Sequence, residues 1–256
     1  MSTVADIAQS LGARTGVERA AEWDPVGIQL GDPEKNVESV AVCHEVTEEV
    51  VAALKEEGPD LLVSYHPLLF APTTRLLAGR SAEARAYALI TMGVGLLITH
   101  TDFDGAAGGA ADALATLVGL RETEPFGDDE EGPGNIGRVG LFEARMDALD
   151  ARLSDAFGHA GLRISGDRDR HLERVAVVPG SGSYLIEAAA ELADALVTGD
   201  VPHHRGVRAA DLGLAIADPG HIATERPGLA ALVKMLGEIT EARVIDLTHI
   251  DPQTWE

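Results

Sequence analysis

VAVCHEVTEEVVAALKEEGPDLLVSYHP (residues 40–67) and VAVVPGSGSYLIEAAAELADALVTGDVP (residues 175–202) decide the fold. Each opens on an apolar run, passes through a loop into a helix-forming stretch, returns to an apolar run and ends in a turn closed by proline. Val175 stands 135 residues after Val40, and Pro202 stands 135 after Pro67. In the first copy Thr47 caps a helix through Glu57, with Glu48 and Glu49 in the first turn, where the helix dipole favours acidic groups. Asp60–Ser64 is short and mostly apolar, the pattern of a buried strand. A further helix and apolar strand follow each copy, ending in GVGLLITHTDFD (93–104) and LGLAIADPGHIATE (212–225). Alternating strands and helices imply an α/β fold. We read two halves with one topology, although hydrophobic periodicity alone makes any two βαβ units look alike.

Around these copies the pattern predicts helices over 2–11, 81–92, 108–118, 146–157 and 184–193. It predicts strands over 37–43, 94–99, 137–142 and 174–178. RETEPFGDDEEGPGNIG (121–137) mixes glycine, proline and acidic residues without periodicity and reads as a loop. The expected organisation is a first half over 1–122, an acidic linker over 123–137 and a second half over 138–256, whose C-terminal segment completes the site.

Composition narrows the class. Of the 256 residues, 45% are hydrophobic and 24% charged, the balance of a folded globular chain. No apolar run reaches the roughly 18 residues of a membrane span, and MSTVADIAQSLGA does not resemble a signal peptide. A cytoplasmic protein without a membrane partner is expected. One cysteine, Cys43, excludes an intrachain disulfide and a thiolate cluster. The 42 acidic and 20 basic residues give a net charge of -22, which repels nucleic-acid phosphates and argues against a nucleic-acid partner. Only Lys35, Lys55 and Lys234 are lysines. That balance reads as a halophilic, salt-adapted surface, whose self-repulsion concentrated counterions would screen.

The chemistry gathers just past the predicted strands, where open α/β sheets hold their ligands. SYHPLLF carries His66; THTDFDGAAGG carries His100, Asp102 and Asp104; TGDVPHH carries Asp200, His203 and His204; DPGHIATE carries Asp218, His221 and Glu225. Imidazole and carboxylate together suit divalent first-row metals, and a carboxylate can bridge two ions. His221 and Glu225, four apart at a helix start, can face one point. Each cluster also has a plainer reading. His66 alone would serve as a turn residue, His203 and His204 as solvated groups, and DPGH as a turn before a capped helix. Four clusters at equivalent strand ends favour a metal site. PGSGS (179–183) lacks the lysine of a phosphate-binding loop and reads as a tight turn. Asp24–Gly31 reads as a ligand-facing loop or a connector. His44, His159, His171 and His249 lie outside the clusters.

DPVGIQLGDP, SYHPLLF, THTDFDGAAGGAADALA, TGDVPHH and GHIATE, in this order and across nearly the whole chain, resemble the GTP cyclohydrolase I type 2 homologue family, the Nif-three-like dinuclear-metal-centre proteins. The resemblance implies two similar interlocked α/β domains with a di-metal site between them, assembled as a toroidal homohexamer. It implies two divalent ions (iron, manganese, zinc or nickel) held by His66, Asp104, His221 and a bridging Glu225. Many members have two histidines before the proline of the first motif; here the first is Tyr65, a further candidate ligand but a poorer one at neutral pH. His100 becomes the proton-moving catalytic candidate, with His203 and His204 substrate-facing. The expected activity is metal-dependent hydrolysis of a nucleotide-like or phosphorylated small molecule. The alternative is a metal-binding oligomeric assembly or regulatory protein without turnover.

Overall fold

Thr3 sets where the first helix begins. Its hydroxyl accepts from the Asp6 N–H while the Asp6 carboxylate accepts from the Thr3 N–H, so two otherwise orphaned donors are satisfied together. In the computed structural model, which describes residues 1–127, 135–158 and 162–250, the chain forms two units. The first is Met1–Phe103 with Leu229–Glu256, and the second is Asp104–Gly228.

The first unit contains β1 (Ser2–Thr3), α1 (Val4–Thr15), β2 (Gly27–Leu30), β3 (Asn36–Val37), β4 (Ser39–Cys43), α2 (Glu48–Glu57), β5 (Leu61–Ser64), α3 (Ala82–Met92) and β6 (Gly95–Ile98). Thr47 caps α2 as expected, Ser81 caps α3, and Gly58 and Gly93 end the two helices in the left-handed conformation. Every residue of β4, β5 and β6 is buried, as parallel strands covered on both faces require. With β13 (Arg243–Asp246) from the end of the chain, the sheet order is β13-β4-β5-β6-β2, with β2 antiparallel to β6 and the other neighbours parallel. Val50, Val51 and Leu54 of α2 and Ala86 and Leu89 of α3 join Leu62, Leu96 and Ile98 in one core.

Next come α4 (Thr101–Gly105), on whose interior the unit limit falls, and then α5 (Ala110–Val118), β7 (Arg121–Phe126), β8 (Gly137–Arg145), α6 (Met146–Phe157), β9 (Arg163–Ser165) and β10 (His171–Val177). The second unit continues with α7 (Ile186–Leu192), β11 (Ala195–Val197), α8 (His203–Asp211) and β12 (Ala215–Asp218). Its sheet order is β7-β8-β10-β11-β12-β9, with β10, β11 and β12 parallel. Val175 and Val177 enter one core with Leu114, Met146 and Leu153, while Ala176 and Val178 enter another with Ile186 and Ala209. That alternation is the period of two of a sheet covered on both faces.

Helix α9 (His221–Ile239) carries the chain across the second unit limit, and β13 (Arg243–Asp246) pairs in parallel with β4. The final strand therefore belongs to the first sheet, where the sequence reading assigns 138–256 to the second half. The stretch read as a loop over 121–137 is corrected in part: Arg121–Phe126 is an edge strand antiparallel to β8. Residues 128–134 of the expected linker, and His159, lie outside the described residues.

The two units repeat one plan in detail. Asp60, just before β5, accepts from the N–H groups of Glu38 and Ser39 and pairs with Lys35, whose ammonium also reaches the Gly93 carbonyl. Asp194, just before β11, accepts from the N–H groups of Glu173 and Arg174 and pairs with Arg170, whose guanidinium reaches the Gly213 carbonyl. Each aspartate thus ties one parallel strand to the next. Shared hydrogen bonding of this kind goes beyond generic hydrophobic periodicity. Among the described residues no helix is long and apolar enough to cross a membrane.

Candidate metal centre

Parallel strands bring their C-terminal ends to one edge, so the residues that follow β4, β5 and β6 are neighbours in the first unit. His44 follows β4 and is buried; Tyr65 and His66 follow β5; His100 follows β6. The ladder runs on past the strands, with the Tyr65 N–H donating to the Cys43 carbonyl and the His66 N–H to the His44 carbonyl. One ring nitrogen of His44 and one of His66 lie within 4.8 Å of each other. The His66 and His100 rings are 5.0 Å apart between centroids. Tyr65 is fully buried, its ring 5.5 Å from His44, 5.1 Å from His66 and 5.6 Å from His100. Three imidazoles and a phenol therefore share one edge. The Cys43 thiol beside them is pushed up to about 12 by complete burial, so it stays protonated and is no thiolate ligand.

His100 is held at two points. Its main-chain N–H donates to Asp102 Oδ1 at 2.8 Å, and its ring Nδ1 lies 3.0 Å from Asp24 Oδ2. Asp102 is consumed by structure, since the hydroxyls of Thr15 and Thr99 also donate to it. Asp24 also accepts from the Thr101 N–H at 3.1 Å and the Thr101 hydroxyl at 2.6 Å. Burial would raise the Asp24 pKa, but hydrogen bonds from His100 and Thr101 outweigh it and hold the carboxyl below its ordinary value.

The second unit has its own cluster of candidates. Asp104 is buried within α4. His221 opens α9, its Nε2 is 2.9 Å from Glu225 Oε1 one turn on, and its Nδ1 is 2.8 Å from Asp200 Oδ2. Burial would lower the His221 pKa, but Glu225 and then Asp200 raise it to about 9. The PGSGS turn makes this geometry possible. Gly180 has φ 64, and a Cβ there would stand 2.6 Å from Glu225 Oε1. Its N–H donates to Thr224 Oγ1, and the Gly182 N–H to Thr198 Oγ1, so these donors close a tight turn. Gly199 makes room in the same way, for a Cβ there would meet the His221 main-chain nitrogen at 2.5 Å.

Asp218 serves the turn: its carboxylate accepts from the N–H groups of Val201 and Gly220 and pairs with Arg163. His203 and His204 are exposed at the start of α8. His203 lines a cavity of about 330 Å³ with Arg163, Val201, Val207 and Ile216.

Within the first unit the structure thus gathers Tyr65, His66 and His100, and adds His44, which lies outside the sequence clusters. Within the second it gathers His221, Glu225 and Asp200. A strand-end position was the one signal available for His44; nothing in the sequence ties Asp24 to His100, 76 residues away.

Residues 2–253 match the family model described as Duf34/NIF3 (NGG1p interacting factor 3). A protein of Streptomyces coelicolor named GTP cyclohydrolase 1 type 2 homolog is 32% identical, covering 99% of this chain and 94% of its own. A protein of the same name from Lactococcus lactis is 35% identical over 80% of each chain. Among solved structures, reduced HcgD from Methanocaldococcus jannaschii superposes with TM-score 0.82 at 26% identity, covering 96% of this chain and 97% of that one. A Staphylococcus aureus hypothetical protein, SA1388, reaches 0.89 at 22% identity over 99% of both chains, which shows the shared fold.

Proposed function

The chain belongs to the Duf34/NIF3 family, and on that premise we propose that it binds two divalent metal ions and works as a metal-dependent hydrolase of nucleotide-like or phosphorylated small molecules. The observation that carries this reading is the set of three imidazoles at the strand ends of the first unit, together with the buried Glu225 and its His221 partner in the second. Imidazole nitrogen and carboxylate oxygen are the donors that iron, manganese, zinc and nickel share. The donor set therefore fits such ions. We assign His66, Asp104, His221 and Glu225 as ligands, with Glu225 bridging, add His44, and keep Tyr65 as a further candidate. Bound ions would lower the pKa of a coordinated water and polarise a phosphoryl or ring-carbon centre.

The chain's own residues do the rest. Asp200 holds the Nδ1 side of His221, leaving Nε2 to face Glu225. His100 is the proton-transfer group, and His203 and His204 contact substrate. The names of the relatives support a nucleotide-like substrate, and a toroidal homohexamer in the cytoplasm completes the proposal.

The test is elemental analysis of chelator-free protein, followed by assays with phosphodiesters, phosphomonoesters and GTP under added manganese, iron or zinc. Metal-dependent turnover that disappears in Glu225→Ala supports the hydrolase. Full metal occupancy without turnover across that panel defeats it in favour of a non-catalytic metal-binding assembly.

A further inference from the structure

We infer that Asp24 is the positioning residue for His100, fixing its ring and its tautomer so that Nε2 is the nitrogen offered to the chemistry proposed above; the inference rests on that reading. Asp24 sits in a loop between α1 and β2, and its side chain is completely covered. Three donors converge on its carboxylate: the Thr101 N–H, the Thr101 hydroxyl and His100 Nδ1. An ionised carboxylate only accepts hydrogen bonds, so Nδ1 must carry a proton, and in the neutral ring Nε2 is then the nitrogen that keeps its lone pair. The ring has little freedom to turn. The Trp23 and Phe70 rings meet it edge-on at 6.2 Å and 6.3 Å, and Tyr65 stands nearly perpendicular at 5.6 Å. Asp102 pins the main chain of the same residue.

A loop anchor alone would need only the two bonds to Thr101. The third bond, to the imidazole, is what makes Asp24 a positioning residue. Carboxylates that hold a functional histidine in this way typically carry about 10–100-fold in metal affinity or activity.

Nitrogen NMR of histidine-labelled, metal-free protein tests this, with His100→Gln identifying the His100 signals. The neutral ring is expected as one tautomer, protonated at Nδ1. In Asp24→Asn, which keeps the shape and an acceptor for Thr101, that tautomer should give way to a mixture or to Nε2–H. An Nε2–H tautomer in the unaltered protein, or an unchanged spectrum in Asp24→Asn, overturns the assignment. Should Asp24→Asn fail to fold, the unaltered protein decides alone. In the manganese-supported phosphodiester assay, Asp24→Asn is expected to lower kcat about 10–100-fold with KM little changed, and Asp24→Glu to recover part of it. Absence of turnover in the unaltered protein would defeat the hydrolase reading while the tautomer still judges Asp24, so the two failures are distinguishable.

Discussion

A methyl group at Gly180 would stand 2.6 Å from Glu225 Oε1 and 3.4 Å from the His221 ring, on backbone at φ 64. Gly180→Ala therefore meets two obstacles, contact with the buried carboxylate and a left-handed conformation costing about 1–3 kcal/mol. We expect it to lose stability of that order and to weaken zinc or manganese binding in calorimetric titration. Gly206→Ala is the control, because nothing lies within 4 Å of a Cβ there and the site is a helix interior. It should be neutral or gain about 0.5–1 kcal/mol; equal behaviour of the two variants would remove Gly180 from the site. Asp200 offers a sharper probe. It adopts φ 54, which asparagine tolerates, so Asp200→Asn removes the charge on His221 Nδ1 without new strain. Metal affinity should fall about 10–100-fold, and unchanged affinity would show that Asp200 is a surface partner only. The ligand candidates are legible in the sequence because their chemistry is unusual after apolar runs. The residues that position them are not. Gly180 and Asp24 act through contacts with Glu225 and His100 that only the folded chain creates.

At the scale of elements, the repeated aspartates make a paired test. Asp60 and Asp194 each accept two backbone N–H groups from the segment of a neighbouring strand, Glu38 and Ser39 at β4 and Glu173 and Arg174 in β10. Burial raises each pKa, but the backbone bonds and then Lys35 or Arg170 outweigh it and hold both below the ordinary 3.8. A depressed folded-state pKa contributes stability that is fully present above 3.8 and lost as pH falls through the folded value. Asp60→Ala and Asp194→Ala should each cost about 1–3 kcal/mol at pH 7 by leaving strand donors unsatisfied. The gap to the unaltered protein should narrow at pH 3 in urea unfolding; a gap that widens in acid would reverse the sign and defeat the argument. Helices were the most legible elements, since Thr47, Ser81, Gly58 and Gly93 sit where cap chemistry puts them. Strand β7 was not legible. Five of its six residues are exposed, so RETEPF shows no inward face, and Pro125 is tolerated because an edge strand need not donate everywhere.

For the molecule as a whole, charge sets the last expectation. Many of its few bases are already engaged. Arg138 pairs with Asp112, Arg163 with Asp218, Arg170 with Asp194, Arg205 and Arg208 with Glu187, and Arg243 with Glu57. With 42 acidic and 20 basic side chains, a large carboxylate excess remains to repel itself. Salt acts on both terms. It weakens exposed pairs, but each of those contributes only about 0–1 kcal/mol. It also shortens the screening length from about 8 Å at physiological ionic strength to about 3 Å at 1 M, which quiets repulsion between every pair of unmatched carboxylates. The excess makes the second effect larger. We therefore propose salt adaptation and expect Tm to rise between dilute buffer and 2 M KCl by more than about 2–4 °C, the equivalent of roughly 1 kcal/mol for a chain of this size. Sucrose at matched osmolality separates screening from solute exclusion, since an excluded solute stabilises any compact chain whatever its charge. A Tm that rises equally in both, or falls in KCl, would show that unmatched carboxylates do not govern stability here.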